Sequence, residues 1–295
     1  MGAPMAKHLA AAGFAVRSFD AKGTGSCASA RAAAKGAEVL LTMLPDGEAV
    51  RDAVLEALPA LRRGAIVIDM SSSDPLGTQA LGAALAAAGI EMLDAPVSGA
   101  VLGAREATLA IMVGGAKPVF EESLPLLKAL GDKIFHVGPL GAGHAVKALN
   151  NYLGAAGTLA GFEALLVARA FGLEAKPMLE AINASTGRNS TTEKKIARDI
   201  LTGAYASGFR LALMAKDVGI ASRLARNLKL NTPYLRKTLQ MWQAAEKALP
   251  AAADHSEIYK YQATLATPPS SRKAAPSRAA PARRSTSRPR RRRST

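Results

Sequence analysis

The sequence predicts an α/β protein, with a Rossmann-type, doubly wound parallel sheet followed by an all-helical C-terminal domain. Two observations predict this class. Up to residue 137, short and nearly continuous apolar runs alternate with Ala-rich segments of helical spacing, as in parallel strands buried between helices. From His144 onward the apolar residues keep helical spacing almost to the end. We therefore expect three regions, covering 1–140, 141–266 and 267–295.

The net charge of +15 is concentrated at the C-terminus. Ten of the 38 Lys and Arg residues lie in 267–295, which holds no Asp or Glu, so the remainder carries only +5. A Pro/Ser/Ala/Arg segment without apolar periodicity is expected to be disordered. It would bind nucleic acid or anionic surfaces non-specifically, or it is GC-rich sequence translated out of frame.

The chain opens with a helix-like segment over 1–13, followed by Phe14–Asp20, which alternates like a short strand ending in an acid. Such a pair is the second half of a βαβ nucleotide-binding unit. In that unit the acid, here Asp20, would accept hydrogen bonds from an adenosine ribose. The sequence lacks the preceding strand and the opening glycines of the G-x-G-x-x-G turn, and only the last glycine, Gly2, is present.

Further strands and helices follow in alternation. We predict strands at 37–45, 64–69, 90–95, 108–113 and 134–137, and helices at 46–61, 76–88, 118–130, 144–170, 175–182, 193–201, 211–228, 233–249 and 254–261. Asp46 is a plausible N-cap of the first of these helices.

Two loops at predicted strand ends have side chains suited to ligands. The serines of 71–73 follow the strand at 64–69, where ligands bind in parallel sheets, although helix capping explains them equally well. Ser98 and Gly99 form a small-residue loop whose hydroxyl and N–H groups would hold a carboxylate, or an ordinary turn.

A glycine loop at 138–143 leads into the long predicted helix that carries Lys147 and Asn151. Four residues apart, these two side chains share one helix face and can reach one small ligand. A partly desolvated amine at Lys147 would have a lowered pKa suited to proton transfer. The alternative is a solvated surface lysine beside a capping asparagine.

Several classes of site are excluded by the composition. Cys27 is the only cysteine, so neither an internal disulfide nor a cysteine-based metal cluster is expected. The four histidines do not pair with carboxylates at metal-ligand spacing, and no G-x-S-x-G elbow is present. We also find no signal peptide and no membrane-spanning run, and we expect a cytoplasmic protein.

Six motifs in order resemble the β-hydroxyacid dehydrogenase family, of which 3-hydroxyisobutyrate dehydrogenase is the best-known type. The resemblance covers about residues 1–265. The motifs are Met1-Gly-Ala-Pro-Met-Ala-Lys-His-Leu9, Met43-Leu-Pro45, Asp69-Met-Ser-Ser72, Asp94-Ala-Pro-Val-Ser-Gly99, Gly141 to Asn151, and Lys216-Asp217.

The resemblance implies a role for each matching residue. It assigns Lys147 as the catalytic lysine, Asn151 as the residue that positions substrate, and Ser98 with Gly99 as the holder of the substrate carboxylate. On the cofactor side it assigns residues of both regions. These are Gly2, Asp20, Leu44, Pro45 and Ser72 of the NAD(P)-binding domain (1–140), and Lys216 of the substrate and dimerisation domain (141–266).

The activity implied is NAD(P)-dependent interconversion of a small β-hydroxy acid and its semialdehyde or oxo acid. The substrate would be of the 3-hydroxyisobutyrate or the tartronate semialdehyde/glyoxylate kind. NAD is the expected cofactor, with NADP not excluded because Lys22 lies near Asp20. A homodimer or homotetramer is expected. The alternatives are an imine reductase or a non-catalytic dinucleotide-binding or nucleic-acid-associated protein on the same fold, the last favoured by the basic tail.

Three departures from the family pattern bear on these expectations. Without the first strand, we expect poor cofactor binding, a start codon assigned too late, and recovery of binding when the preceding in-frame residues are added. Ala100 and Ala107 stand where the family has glycine, and a Cβ at Ala100 would restrict the backbone φ beside the carboxylate pocket. His8 replaces the usual asparagine.

Overall fold

The structure, a computed structural model, describes residues 1–266. The strands are β1 (Val39–Thr42), β2 (Ile66–Asp69), β3 (Glu91–Asp94), β4 (Val97–Ser98), β5 (Ala110–Gly114) and β6 (Lys133–Gly138). The helices among them are α1 (Gly2–Ala11), α2 (Ala30–Ala34), α3 (Gly47–Ala57), α4 (Pro75–Ala87), α5 (Ala100–Glu106) and α6 (Lys117–Lys128).

The six strands form one sheet in the order β1-β2-β3-β5-β4, with β6 also pairing with β5. β1, β2 and β3 are parallel, in a register that aligns Thr42 with Asp69 and Asp69 with Asp94. β5 runs antiparallel to β3 and to β4, and parallel to β6. The predicted α/β class is therefore confirmed, with a sheet that is parallel in its first half and mixed in its second.

Both faces of the sheet are covered by helices, as the alternation of β2 shows. Ile66 and Ile68 pack into a buried cluster with Met5 and Leu9 of α1. Val67, between them, points to the opposite face and a second cluster with α3 and α4. Every β2 side chain is buried, so helices cover this strand on both faces of the sheet, as in a doubly wound fold.

The predicted strand at Phe14–Asp20 is wrong. This segment has no strand conformation, and its apolar side chains Phe14, Val16 and Phe19 are exposed. An extended segment becomes a strand only when its N–H and C=O groups pair with a neighbour. Within residues 1–266 no strand pairs with this segment, whose Ser18 carbonyl oxygen accepts from the Cys27 N–H in the following loop, and β1 itself pairs only with β2.

From residue 142 to residue 266 the structure is helical, as predicted. It consists of α7 (Ala142–Phe171), α8 (Ala175–Asn183), a π-helix (Thr191–Ile200), α9 (Leu211–Asn227), α10 (Pro233–Ala248), a 3-10 turn (His255–Glu257) and α11 (Ile258–Ala266). These elements enclose a core of their own, centred on Phe162 and Trp242. The division into units at residue 140 stays a prediction.

Helix α7 extends over 30 residues and is long and apolar enough, by length and composition, to cross a membrane. One face of it is buried against the helical core, including Ala155, Phe162 and Leu165. That burial is what the core helix of a soluble protein shows. The predicted disordered tail, and the nucleic-acid binding assigned to it, lie outside the described residues.

Candidate active site

The start of α7 is fixed to the sheet by Asp94, the last residue of β3. Its two carboxylate oxygens accept hydrogen bonds from the backbone N–H groups of Gly141 (2.7 Å) and His144 (2.6 Å). A carboxylate at a helix N-terminus satisfies free N–H groups and opposes the positive end of the helix dipole. Asp94 is fully buried, so this attachment lies inside the protein.

Gly143 shows how closely helix and sheet approach. A Cβ at this position would lie 2.3 Å from the Met112 carbonyl oxygen and 2.9 Å from that of Asp94. Helix α7 begins at Ala142 and so includes Gly143, which the sequence prediction had placed in the loop before the helix. Glycine is required here for contact, since only it lets the two backbones come so near.

Lys147 lies one turn further along α7 and is half-buried. Burial lowers the pKa of its amine below the usual 10.5, and the nearby Lys216 charge adds to this, while the carboxylate of Asp217 opposes it. The amine forms no hydrogen bond or salt bridge within residues 1–266. A desolvated, unpartnered amine is suited to take up and release a proton.

Asn151, one turn beyond Lys147, is held from α9. Its Nδ2 donates to Asp217 Oδ2 at 2.6 Å, and Asp217 is only 3% exposed. Lys147 and Asn151 share one face of α7, and Asp217, from a distant segment of the chain, lies beside them. Asp217 was named in the sequence motif but given no role, because only the fold brings it to α7.

Lys216 connects α9 to the sheet. Its Nζ donates to the carbonyl oxygens of Pro45 (2.9 Å) and Ser72 (3.0 Å), in the loops that follow β1 and β2. The same nitrogen lies 3.2 Å from Asp217 Oδ1. The structure therefore brings together Pro45, Ser72 and Lys216, three residues that the family resemblance assigns to one cofactor.

Leu44 and Gly2 lie at this same edge of the sheet. The Leu44 N–H donates to Ser71 Oγ at 2.9 Å, which ties the loop after β1 to the loop after β2. A Cβ on Gly2 would come 3.9 Å from Met43 Cβ, so α1 starts beside the end of β1. Within residues 1–266 no side chain caps the N–H groups of that first turn.

Residues 71–74 have two structural roles, capping of α4 and hydrogen bonding to the buried Asp69. The cap of α4 is Asp74, which accepts from the N–H groups of Leu76 and Gly77, and not one of the three serines for which capping was the alternative. Ser71 N–H and Ser73 Oγ donate to the buried Asp69 at 2.9 and 2.7 Å. Ser72 itself contributes its carbonyl oxygen to Lys216, as described above.

Ser98 and Gly99 follow β3 through the short strand β4, where Ser98 pairs with Ala110 of β5. Within the described residues no hydrogen bond joins this turn to Lys147 or Asn151. Ala100, which follows, adopts φ 55°, and Ala107, at the end of α5, adopts φ 53°. Both alanines thus carry the left-handed backbone that glycine adopts without strain.

Asp20 is not at the end of a strand, contrary to the sequence prediction. It lies in an exposed loop, where its Oδ1 accepts a 2.7 Å hydrogen bond from the backbone N–H of Lys22. The adenosine side of a dinucleotide site is therefore not formed around Asp20 in this structure. By contrast, the loops after β1 and β2, which the family resemblance assigns to the nicotinamide side, do meet Lys216.

Sequence reasoning missed a buried polar network beneath these loops. Asp69 Oδ1 accepts from Thr42 Oγ1 at 2.8 Å, and the His144 ring lies between Asp69 and Asp94, at 3.5 and 3.7 Å. The available signal was an aspartate at the end of each of two otherwise apolar strands. Such residues are buried only when hydrogen-bonded.

Two family models match this chain. The family model for the NAD-binding domain of 6-phosphogluconate dehydrogenase matches residues 1–138. The model for the NAD-binding domain of NADP-dependent 3-hydroxyisobutyrate dehydrogenase matches residues 141–262.

An NAD-dependent L-serine dehydrogenase from Pseudomonas aeruginosa is 36% identical, over 88% of this chain and 94% of that protein. A 2-(hydroxymethyl)glutarate dehydrogenase from Eubacterium barkeri is 34% identical, over 88% and 91%. The chain belongs to the β-hydroxyacid dehydrogenase family. Members of this family are NAD(P)-dependent oxidoreductases of hydroxy acids, and this chain is an enzyme of that class.

The solved structures agree with this β-hydroxyacid dehydrogenase assignment. A Mycobacterium tuberculosis 3-hydroxyisobutyrate dehydrogenase with L-serine superimposes with a TM-score of 0.83 at 32% identity, covering 89% of this chain and 95% of that one. An imine reductase from Streptomyces aurantiacus has a TM-score of 0.54 at 20% identity, which shows a shared fold alone.

Proposed function

We propose that this β-hydroxyacid dehydrogenase interconverts a small β-hydroxy acid and its semialdehyde or oxo acid, with Lys147 as the group that exchanges the hydroxyl proton. The observation that carries the proposal is the placement of one amine. Lys147 is partly desolvated and unpartnered, on a helix face shared with Asn151, beside the Lys216–Asp217 pair that contacts the loops after β1 and β2.

In oxidation, the neutral Lys147 amine would take the proton of the substrate hydroxyl as the carbon that bears it loses a hydride. In reduction the ammonium would return the proton to the forming alkoxide. The nicotinamide ring, when bound, supplies the hydride acceptor or donor. The lowered pKa of Lys147 supports this role, because the amine must lose its proton without strongly basic conditions.

Asn151 would position the substrate through its amide. The Nδ2 group carries two hydrogens, and Asp217 accepts one of them. The second remains available to a carboxylate or hydroxyl oxygen in front of Lys147. We assign the other carboxylate contacts to the Ser98 hydroxyl and the Gly99 N–H, which together would fix the substrate as the family resemblance implies.

The cofactor fits this chain best at its nicotinamide end. Leu44, Pro45 and Ser72 would line the ring, and Lys216 would approach it from α9. The uncapped N–H groups at the start of α1, where Gly2 leaves the backbone open, suit a pyrophosphate. Asp20 would contact the ribose only if residues 14–20 were paired with a neighbouring strand. We propose NAD as the preferred cofactor, with NADP as the second choice.

A substrate panel tests the proposed activity. L-Serine, 3-hydroxyisobutyrate, 2-(hydroxymethyl)glutarate and the semialdehyde and glyoxylate substrates would each be assayed with NAD(H) and NADP(H), following absorbance of the reduced nicotinamide. A cyclic imine included in the panel tests the imine reductase alternative. Turnover with at least one β-hydroxy acid that is lost in the Lys147→Ala variant supports the proposal. Turnover of the imine alone contradicts it.

We further propose a cytoplasmic homodimer or homotetramer assembled through α7. Apolar side chains on the outer face of this helix are exposed, with Leu153 at 70%, Val167 at 69% and Phe171 at 81%. Exposed apolar side chains that recur along one helix face are typical of interfaces between subunits. Light scattering after size-exclusion chromatography measures the mass directly, and a monomer at micromolar concentration would contradict this assembly.

A further inference from the structure

We propose that His144 is a positioning residue for hydride transfer, holding the turn of α7 that carries Lys147 against the loop after β2. The proposal rests on the proposed function above, because it concerns the same amine. His144 is not placed to touch substrate or cofactor. Its imidazole is fully buried, and both ring nitrogens are hydrogen-bonded to elements other than α7.

The ring joins three elements. His144 Nδ1 lies 2.8 Å from Thr78 Oγ1 of α4, and Nε2 lies 3.2 Å from the Ser71 carbonyl oxygen. Because a carbonyl oxygen only accepts, Nε2 carries the proton of that contact. The Nδ1 nitrogen then faces the Thr78 hydroxyl.

Ser71 connects the His144 ring to the loops proposed to line the cofactor. Its Oγ accepts from the Leu44 N–H at 2.9 Å, and its own N–H donates to Asp69 Oδ1 at 2.9 Å. The next residue, Ser72, gives its carbonyl oxygen to Lys216. One serine thus links the His144 ring to both loops proposed to line the nicotinamide.

The attachment through Asp94 does not by itself set the direction of α7. Both of its hydrogen bonds reach backbone N–H groups at the very end of the helix, and the later turns pack into the helical core, so neither attachment contacts the loop after β2. The contact of His144 Nε2 with Ser71 is a second point of attachment, made by a side chain three residues before Lys147. A tilt that displaces the amine by about 1 Å costs on the order of 100-fold in rate.

Two substitutions separate this role from general support of the core. Glutamine can place an amide N–H near the position of Nε2 and keep the Ser71 contact, whereas asparagine reaches only the position of Nδ1. We expect His144→Gln to keep kcat within about threefold and His144→Asn to lower it about 10- to 100-fold. The KM for the cofactor should change less than kcat. Equal losses in the two variants overturn the proposal.

Controls on either side keep the test interpretable. His136 also bonds a backbone carbonyl, that of Gly115 at 2.8 Å, so His136→Asn removes a comparable contact elsewhere in the sheet and should leave kcat within about twofold. If His144→Asn does not fold, Thr78→Val removes the hydroxyl that faces Nδ1 and leaves the histidine in place, so the ring is no longer held for its contact with the Ser71 carbonyl oxygen. A kcat for Thr78→Val equal to that of the wild type overturns the proposal.

The amine itself gives a readout that needs no turnover. Reductive methylation with ¹³C-formaldehyde labels Lys147, and NMR then follows its titration, with Lys147→Arg identifying the resonance. We expect the midpoint to shift in His144→Asn and to stay in place in His144→Gln. An unchanged Lys147 midpoint in His144→Asn overturns the proposal. A wild type without dehydrogenase activity refutes the proposed function alone, and the midpoints still decide the role of His144.

Discussion

Asn151 Nδ2 and Asp217 Oδ2 lie 2.6 Å apart and join α7 to α9 at the point where the proposed reaction takes place. Asp217 is buried, and its charge also raises the pKa of Lys147 against the lowering effect of burial. One carboxylate therefore orients the Asn151 amide, proposed to bind substrate, and raises the basicity of Lys147, the proposed proton acceptor.

Replacing Lys147 by alanine should remove most turnover. Loss of a general base typically costs 10²- to 10⁴-fold, and we expect a fall in kcat of about that size with cofactor affinity within about twofold. Steady-state kinetics and a fluorescence titration with NADH measure the two effects. Lys195→Ala is the matched control, because Lys195 also has a pKa lowered by burial, to about 8, but donates to Thr158 instead. A loss in Lys195→Ala as large as in Lys147→Ala would contradict the assignment.

The pH dependence of oxidation should report the Lys147 pKa. The amine acts when neutral, so kcat/KM rises with pH and levels off above a pKa that burial holds below 10.5. In Asp217→Asn a charge that raises this pKa is removed, while the side chain can still accept from Asn151. The rising limb should therefore move to lower pH. The control is Asp199→Asn, which removes the carboxylate that pairs with Arg198 and should leave the rising limb in place. An upward shift of the limb in Asp217→Asn would refute the electrostatic role of Asp217.

His255 should make the folded state sensitive to acid. Burial, and then the charge of Lys195, lower its pKa from 6.5 to about 4, although Asp254 opposes this. Between these values the unfolded chain binds a proton that the folded chain does not, so stability falls as pH drops from 6.5 towards 4. The loss is about 3 kcal/mol in total.

Urea unfolding at pH 7.5, 5.5 and 4.5 measures this dependence. His255→Asn should flatten the decline between pH 6.5 and 4.5, since the titrating ring is gone. His8→Asn, altered on α1, should keep the wild-type slope. A decline that is unchanged in His255→Asn would assign the acid sensitivity to other groups.

Two glycines in α7 should respond oppositely to alanine. In Gly143→Ala the new Cβ would lie 2.3 Å from a backbone carbonyl oxygen, so the helix start must shift, at a cost of about 1–3 kcal/mol. A Cβ at Gly154 meets nothing within 4 Å, and helix propensity alone should stabilise Gly154→Ala by about 0.5–1 kcal/mol. Chemical denaturation of the pair measures both, and a Gly143→Ala protein as stable as wild type would refute the close approach.

The sequence predicted most of the elements from residue 37 onward because each has a local signature, but it missed the short β4 and α5, which lie where a loop was expected. Buried strands such as β2 are short apolar runs, and Asp46 does cap α3, accepting from the Ala49 N–H at 2.9 Å. The prediction failed at Phe14–Asp20, where the local pattern was that of a strand but pairing depends on a neighbour. Alternating apolar and polar side chains indicate that a segment can form a strand, and a hydrogen-bonding neighbour decides whether it forms one.

The site was predictable in part, for a related reason. Lys147 and Asn151 are close in sequence, so helical spacing alone places them together. The contacts of Asp217 with Asn151 and of Lys216 with Pro45 span 66 and 171 residues, and periodicity carries no information at that range. Family resemblance had singled out Lys216, whereas the bracing of His144 by Ser71 and Thr78 appears only in the folded chain.

Helix α7 is one unbroken rod of 30 residues whose first turn is bonded into the sheet and whose later turns are embedded in the helical core. Melting either core would remove neighbours from a helix that the other core needs. The two halves should consequently lose their structure in a single calorimetric transition rather than one after the other. The amine of Lys147, the proposed proton acceptor, lies near the junction and then stays in position for as long as both cores are folded.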